Sequence, residues 1–335
     1  LDKILSVDAA RFDTRRFENI RTDMIRSLRN SVAKRPSGQA MDDLREALQH
    51  GEWGEQALIG ALEAATPRSL NTYIDGFWRT ANAEAMVYGN YDAGTVEALA
   101  GRLAKLLPGE VSGELPDLKI LKLAPAEDSQ YAVDIPHDDS VVAWYLQGAG
   151  DSWQDRAATA LAGQVIKSGF FQQLRTEQQL GYVVSAFPWA RLDVPGLVLL
   201  IQSPSASADA VADAIGEFMA GVVPGLGEEQ FARHRRALVT EILQPDKNLW
   251  ERAEFYWQSI AKKQYEFDGR KALAEAVEAL SLEDWAAYFN RVFIAEPHSL
   301  QVVSPGRWGK LPEVSGRRYE TADAVKSSHP AYVID

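Results

Sequence analysis

A long-period repeat constrains this chain more than any other feature of its sequence. Glu63-Ala64-Ala65-Thr66-Pro67-Arg68-Ser69-Leu70, followed by Tyr73, lies 215 positions before Glu278-Ala279-Leu280-Ser281-Leu282-Glu283-Asp284-Trp285, followed by Tyr288. In both copies a Thr or Ser stands where a helix N-cap belongs, ahead of an aromatic-rich amphipathic helix. Each copy then reaches a short apolar stretch that reads as a strand, Ala85–Tyr88 in one and Leu300–Val303 in the other. Upstream, Phe17 and the helix through Leu28 match Phe231 and the helix through Leu238 to Leu243 at an offset of 214. The match is one of pattern, with low identity. A unit of this length fits the chain about one and a half times.

The spacing therefore predicts a second half-unit over residues 1–107, mostly helical, and a complete αβ unit over 131–304. Residues 108–130, punctuated by Pro and Gly from Pro108-Gly109 to Ala124-Pro125, read as a linker, and 305–335 as an extended C-terminal tail. Within the complete unit, Val141–Leu146 is an unbroken apolar run, as expected of a strand covered on both faces. A helix is expected from about Trp153 with Ala157, Leu161 and Val165 on one face, then strands over Tyr182–Phe187 and Leu197–Ile201. Two helices start near Glu228 and Asn248, separated by Pro245. The front end, Leu1-Asp2-Lys3-Ile4, lacks an initiator Met and passes into a helical pattern. With a half-unit in front, the expectation is a fragment of a longer protein.

Composition narrows the chemistry. The 335 residues include no cysteine, which excludes disulfides, thiolate metal sites and a cysteine nucleophile. A net charge of −12 disfavours nucleic acid or an anionic membrane as the main partner, and no apolar run reaches the ~18–20 residues of a membrane span. The five histidines are His50, His137, His234, His298 and His329, the closest two 31 positions apart. No helix can therefore offer a His pair at zinc-ligand spacing. His234 reads as a solvated helix face and His137 as a turn residue. The cluster of Trp250, Phe255, Tyr256 and Trp257 reads as helix core.

One segment stands out: Ser168-Gly169-Phe170-Phe171-Gln172-Gln173-Leu174-Arg175-Thr176-Glu177-Gln178-Gln179-Leu180-Gly181-Tyr182. It reads as a short helix presenting Phe171, Leu174 and Arg175 and closed by Gly181 as a left-handed cap, with Tyr182 opening the next strand. Such a turn can direct a cation and a phenol into one cavity. The plainer alternative pairs Arg175 with Glu177 and packs Tyr182 at a strand end.

The segment resembles the Leu-Arg-Thr-x-x-Gln-Leu-Gly-Tyr signature of the pitrilysin/insulinase family of zinc peptidases. Ile201-Gln202-Ser203, Phe255-Tyr256-Trp257 and Gln264-Tyr265-Glu266-Phe267-Asp268 match further stretches of that family in the right order. The resemblance implies an α+β fold of the LuxS/MPP-like metallopeptidase kind, built of repeated units, each a mostly antiparallel sheet packed with helices. It places this chain at the end of the third and the whole of the fourth of four homologous units. Zinc is then expected in a missing N-terminal half carrying His-x-x-Glu-His, with no metal and no cofactor in this chain. By the same resemblance Arg175 and Tyr182 bind a peptide or unfolded polypeptide, Tyr182 hydrogen-bonds the transition state, and Phe171 lines a substrate subsite. The implied function is the non-zinc portion of a metalloendopeptidase, inactive alone and completed by the zinc-bearing half in the same parent chain or a partner subunit. A non-catalytic scaffold or subunit on the same fold is the alternative. The sequence leaves the compartment open between periplasm and cytoplasm, the resemblance leaning toward the periplasm.

Overall fold

The apolar run Val141–Leu146 becomes the middle of a sheet because both of its faces find apolar cover. The computed structural model describes residues 13–30, 35–81, 83–105 and 118–334. The N-terminal pattern at Leu1–Ile4 and the Leu107–Pro116 part of the connector lie outside the described residues. In chain order the elements are α1 (Thr14–Asn30), α2 (Pro36–Leu48), α3 (Glu55–Ala64), α4 (Pro67–Thr80), α5 (Ala93–Ala104), β1 (Leu118–Leu121), β2 (Glu127–Ala132) and β3 (Ser140–Gln147). Then come α6 (Trp153–Phe170), a π-helical turn (Phe171–Glu177), β4 (Val183–Pro188), β5 (Gly196–Ser203), α7 (Ala208–Gly221), α8 (Glu228–Ile242) and α9 (Leu249–Ala261). The chain closes with α10 (Gly269–Glu278), α11 (Leu282–Phe289), a second π turn (Asn290–Ala295), β6 (His298–Ser304), β7 (Arg318–Tyr319), α12 (Ala322–Ser328) and β8 (Ala331–Ile334).

Two compact units result. One holds the described residues of Leu1–Ser31, Trp53–Pro116 and Asp246–Lys263; the other holds those of Val32–Glu52, Asp117–Pro245 and Gln264–Asp335. The second contains a six-stranded sheet in the order β4-β5-β3-β6-β2-β7, while β1 and β8 pair separately. β4, β5, β3 and β6 run antiparallel, whereas β2 pairs in parallel with both β6 and β7. The expected mostly antiparallel sheet is thus a mixed one. β2 and β6 are far apart in the chain, so no hairpin forces them antiparallel.

Alternate side chains of β3 go to opposite faces. Val142 and Leu146 pack with Leu199, Ile201 and the α6 residues Ala157 and Leu161. Val141, Ala143 and Tyr145 pack with Val198, Leu200 and, from α2, Ala40, Leu44 and Leu48. The small and apolar residues of α2 recur at helical spacing, giving it a flat stripe that lies close on the sheet. Burying each such leucine stabilises the layer by about 1.5–3 kcal/mol. α12 covers the same face through Ala322 and Val325.

Several expectations change here. The predicted linker 108–130 supplies β1 and β2, and the predicted tail 305–335 supplies β7, α12 and β8. Strands of two to six residues are too short to announce themselves by period, and pairing with a distant partner is what orders them. The repeat keeps its helix caps: Thr66 Oγ1 accepts from the Ser69 N–H at 3.1 Å, and Ser281 Oγ from the Asp284 N–H at 3.0 Å. It does not keep its strands. Leu300–Val303 lies within β6 between two neighbours, whereas Ala85–Tyr88 has no strand assigned and Val87 and Tyr88 are exposed. The aromatic cluster of α9 is not a core either. Trp250 is 77% exposed and Trp257 is exposed, while Tyr256 meets Tyr88 at 5.4 Å and the Arg252 guanidinium. The helical spacing of aromatic residues marked a face without saying what covers it.

Candidate functional site

The segment with the sharpest motif is shaped by a change of helical pitch. α6 begins under a Ser152 cap and runs without a break into the π turn Phe171–Glu177, where the Gln178 N–H bonds the Gln173 carbonyl at 2.9 Å. The separate short helix expected from the sequence is therefore the widened end of a long one, a device often found where side chains are re-aimed for function. Leu174 anchors the turn from inside, fully buried. The left-handed residue is Gln179, with φ +54°, not Gly181. Gly181 is required for another reason. A Cβ there would sit 2.2 Å from the Gln202 carbonyl oxygen, so only glycine lets the chain enter β4 this close to β5.

That entry sets Tyr182 beside β5 and β3. Its hydroxyl donates to Asp139 Oδ2 at 2.7 Å and is also in contact with Gln202 Nε2, which itself donates to Asp139 Oδ2 at 2.8 Å. Gln202 Oε1 accepts the Ser37 N–H at 3.1 Å, at the start of α2. Asp139 is buried directly ahead of the β3 run, and its N–H donates to His137 Nδ1 at 3.0 Å. Tyr182 is 45% exposed. Its pKa is raised above the ordinary 10.0, first by loss of water, then by the hydrogen bond to Asp139 and that residue's charge, with Arg35 opposing. Tyr182 is accordingly a neutral phenol at physiological pH, suited to donating a proton and unsuited to removing one.

Arg175 and Phe171 sit one turn apart on the π-helical stretch. Phe171 is 50% exposed; Arg175 is half-buried and makes no hydrogen bond or ion pair among the described residues. The Arg175–Glu177 pair of the plainer alternative is absent there, and Glu177 instead accepts from Gln172 at 3.4 Å. No hydrogen bond joins Arg175 to Tyr182; the cation that acts on Tyr182 is Arg35. The sequence reading missed Asp139, Gln202 and Arg35. Two signals were present: an Asp placed immediately before an apolar strand, and a Gln closing one.

The residues around Tyr182 do not fit a zinc ion. Among the described residues no three His, Asp or Glu side chains gather to hold a metal. His137 Nδ1 stands 3.7 Å from Asp139 Oδ1 but accepts the Asp139 N–H, and Asp139 Oδ2 holds Tyr182 and Gln202. The described side chains beside Tyr182 thus offer no zinc ligand set of their own.

Residues 161–257, which include the π turn and Tyr182, match the family model described as PQQ synthase PqqF-like, C-terminal lobe domain 4. Insulin-degrading enzyme of Drosophila melanogaster is 24% identical over 303 residues, 87% of this chain and 30% of that protein. The crystal structure of pitrilysin superposes with a TM-score of 0.88 at 21% identity, over 99% of this chain and 36% of that one. In sequence and fold the chain is thus similar to the C-terminal part of pitrilysin-family peptidases. It spans about a third of the length of these two relatives. A peptidase M16 inactive domain from Pseudomonas fluorescens shares the fold with a TM-score of 0.59 at 15% identity, over 92% of this chain and 73% of that one. No described helix is long and apolar enough to cross a membrane.

The tyrosine network has a titration signature. A folded-state pKa raised above the unfolded one means stability that is whole below the unfolded value and lost as pH rises through the folded value. The absorbance difference between wild type and Tyr182→Phe should therefore titrate above pH 10.0. Asp139→Asn should bring that titration down by removing the charge that opposes ionisation. A wild-type midpoint at or below the ordinary value would refute the network.

Proposed function

We propose that this chain is the substrate-gripping, non-zinc portion of a zinc metalloendopeptidase. It binds a peptide or unfolded polypeptide and completes a site whose zinc is carried by an N-terminal portion, in the same parent chain or a partner subunit. Arg175 holds backbone carbonyls of the substrate through its fork of donors. Phe171 lines a side-chain subsite. Tyr182 donates a hydrogen bond to the oxygen that gains negative charge as the peptide carbonyl is attacked.

One observation carries this reading. A guanidinium with no partner among the described residues and a half-exposed phenylalanine stand a turn apart on a π-helical stretch pinned from within by Leu174. A packing role gives neither residue a reason to be left open. A second reading, a scaffold of the same fold, has support in the bonds from Tyr182 to Asp139 and Gln202, which also tie β4 to β3 and β5.

Mixing the purified chain with the zinc-bearing N-terminal portion of its parent separates the two. Cleavage of an unfolded fluorogenic peptide is expected in the mixture and in neither part alone. Arg175→Ala should raise KM about tenfold or more, the value of a charge-assisted hydrogen bond, with a smaller change in kcat. A mixture that cleaves equally well with Arg175→Ala favours the scaffold.

A further inference from the structure

A cavity of about 370 Å³ lies on the α7 face of the six-stranded sheet, away from Tyr182. Leu146, Leu199, Met219 and Phe293, all buried, form its inner wall, and the exposed Ala126 and Ser315 line its open side. This volume suits a small molecule. Three features set the cavity apart from a packing defect.

The first is Gly216, inside α7, where glycine is the poorest helix former short of proline. A Cβ on Gly216 would meet nothing within 4 Å, so neither backbone geometry nor close packing calls for glycine. Its effect is to leave the cavity open. The second is Asp128, which lines the cavity and whose carboxylate accepts from Ser299 Oγ and, at 2.9 Å, from Gln301 Nε2. It has no ion pair among the described residues. Burial raises its pKa above the ordinary carboxylate value, as befits an anion held without a cation. The third is a matched pair of unsatisfied groups. Trp144 Nε1 and Gln301 Oε1 are both buried without a hydrogen-bond partner, and these residues stand directly opposite each other in the β3–β6 register. Trp144 also lines the cavity. The backbone at the open side is strained as well: Ala126 has φ +56°, a conformation that a residue with a Cβ adopts at a cost.

We propose that this cavity binds a small organic cation, a protonated amine on an apolar, ring-sized body. The ammonium would lie against Asp128, whose two accepted hydrogen bonds leave lone pairs free. The body would cover Leu146, Leu199, Met219 and Phe293. A hydroxyl on the ligand, or a water entering with it, would serve the orphan Trp144 donor and Gln301 acceptor together. A neutral apolar ligand leaves the carboxylate without a counter-charge, and an anion is repelled by it.

The test is calorimetric titration of the intact chain with benzylamine, benzyl alcohol and toluene. Benzylamine is expected to bind about tenfold or more tightly than benzyl alcohol, the usual gain from a charge-assisted hydrogen bond. Asp128→Asn should erase that preference while leaving benzyl alcohol binding in place. Gly216→Leu fills the cavity from the helix side, improves helix propensity and should abolish binding of both. Absence of benzylamine binding to the wild type overturns the proposal. So does a preference that survives Asp128→Asn, or binding that persists in a folded Gly216→Leu chain.

Discussion

Replacing Gly181 with alanine is expected to unfasten the entry to β4 and destabilise the sheet unit by about 1–3 kcal/mol or more, the range for forcing an extra carbon into a packed interior. The added Cβ would lie 2.2 Å from the Gln202 carbonyl oxygen, 3.0 Å from its carbonyl carbon and 3.3 Å from Ile201 Cγ2. The neighbour that would have to yield is backbone, in a strand paired on both sides, with β4 and with β3. A side chain can turn away from such a clash; a hydrogen-bonded strand cannot. The chain at Gly181 must therefore back off, carrying Tyr182 out of reach of Asp139. Urea unfolding should show a lower midpoint at unchanged slope, and the raised titration of Tyr182 should fall back toward 10.0. Gly60→Ala, in α3, is the control: its Cβ meets nothing within 4 Å, and it should not destabilise. A Gly181→Ala chain with the wild-type midpoint would mean that the close approach does not exist in solution.

What the sequence disclosed and what it withheld follow from the range of the forces involved. β3 was legible because six apolar residues in a row have only one economical fate, burial on both faces. The starts of α6, α9 and α11 were legible because Ser152, Asn248 and Ser281 cap them through bonds spanning three residues. Pro245 marked the break between α8 and α9 in the same local way. β2 was hidden because Glu127–Ala132 has little apolar character and owes its place to β6, far along the chain. The cover that α2 gives the sheet was hidden for the same reason, since nothing local to Pro36–Leu48 names the strands beneath it. At the candidate site, the motif drew attention to Arg175, Phe171 and Tyr182 but carried no trace of Asp139 or Gln202. Those two reach Tyr182 through the tertiary fold. Gly181 was singled out correctly as a glycine that matters and explained by the wrong cause, because a backbone approaching from another strand leaves no mark in the residues next to it.

On the proposed role of Tyr182, the substitution Tyr182→Phe is expected to lower kcat by about 10²- to 10³-fold in the mixture with the zinc-bearing portion, with little change in KM. The fold should survive, since Asp139 keeps Gln202 as a donor and Tyr182 is 45% exposed. The reason for a kcat effect lies in the competition for one proton. At rest the phenol donates to the Asp139 carboxylate at 2.7 Å. The carbonyl oxygen of a bound peptide is neutral and a poorer acceptor than that carboxylate, so it cannot draw the proton away. As attack proceeds the same oxygen gains negative charge and competes on equal terms. Gln202 Nε2 remains on Asp139 Oδ2, so the carboxylate is not stripped of donors when the hydroxyl turns. The hydrogen bond from Tyr182 to substrate is then made in the transition state and withheld in the ground state, which is the condition for lowering a barrier without tightening substrate binding. Asp139→Asn tests this logic independently. A neutral amide holds the phenol less firmly, so Tyr182 becomes available to the ground-state carbonyl and KM should fall while the fold gain in kcat shrinks. If Tyr182→Phe instead raises KM and spares kcat, Tyr182 grips the substrate uniformly and Asp139 has no part in timing its bond.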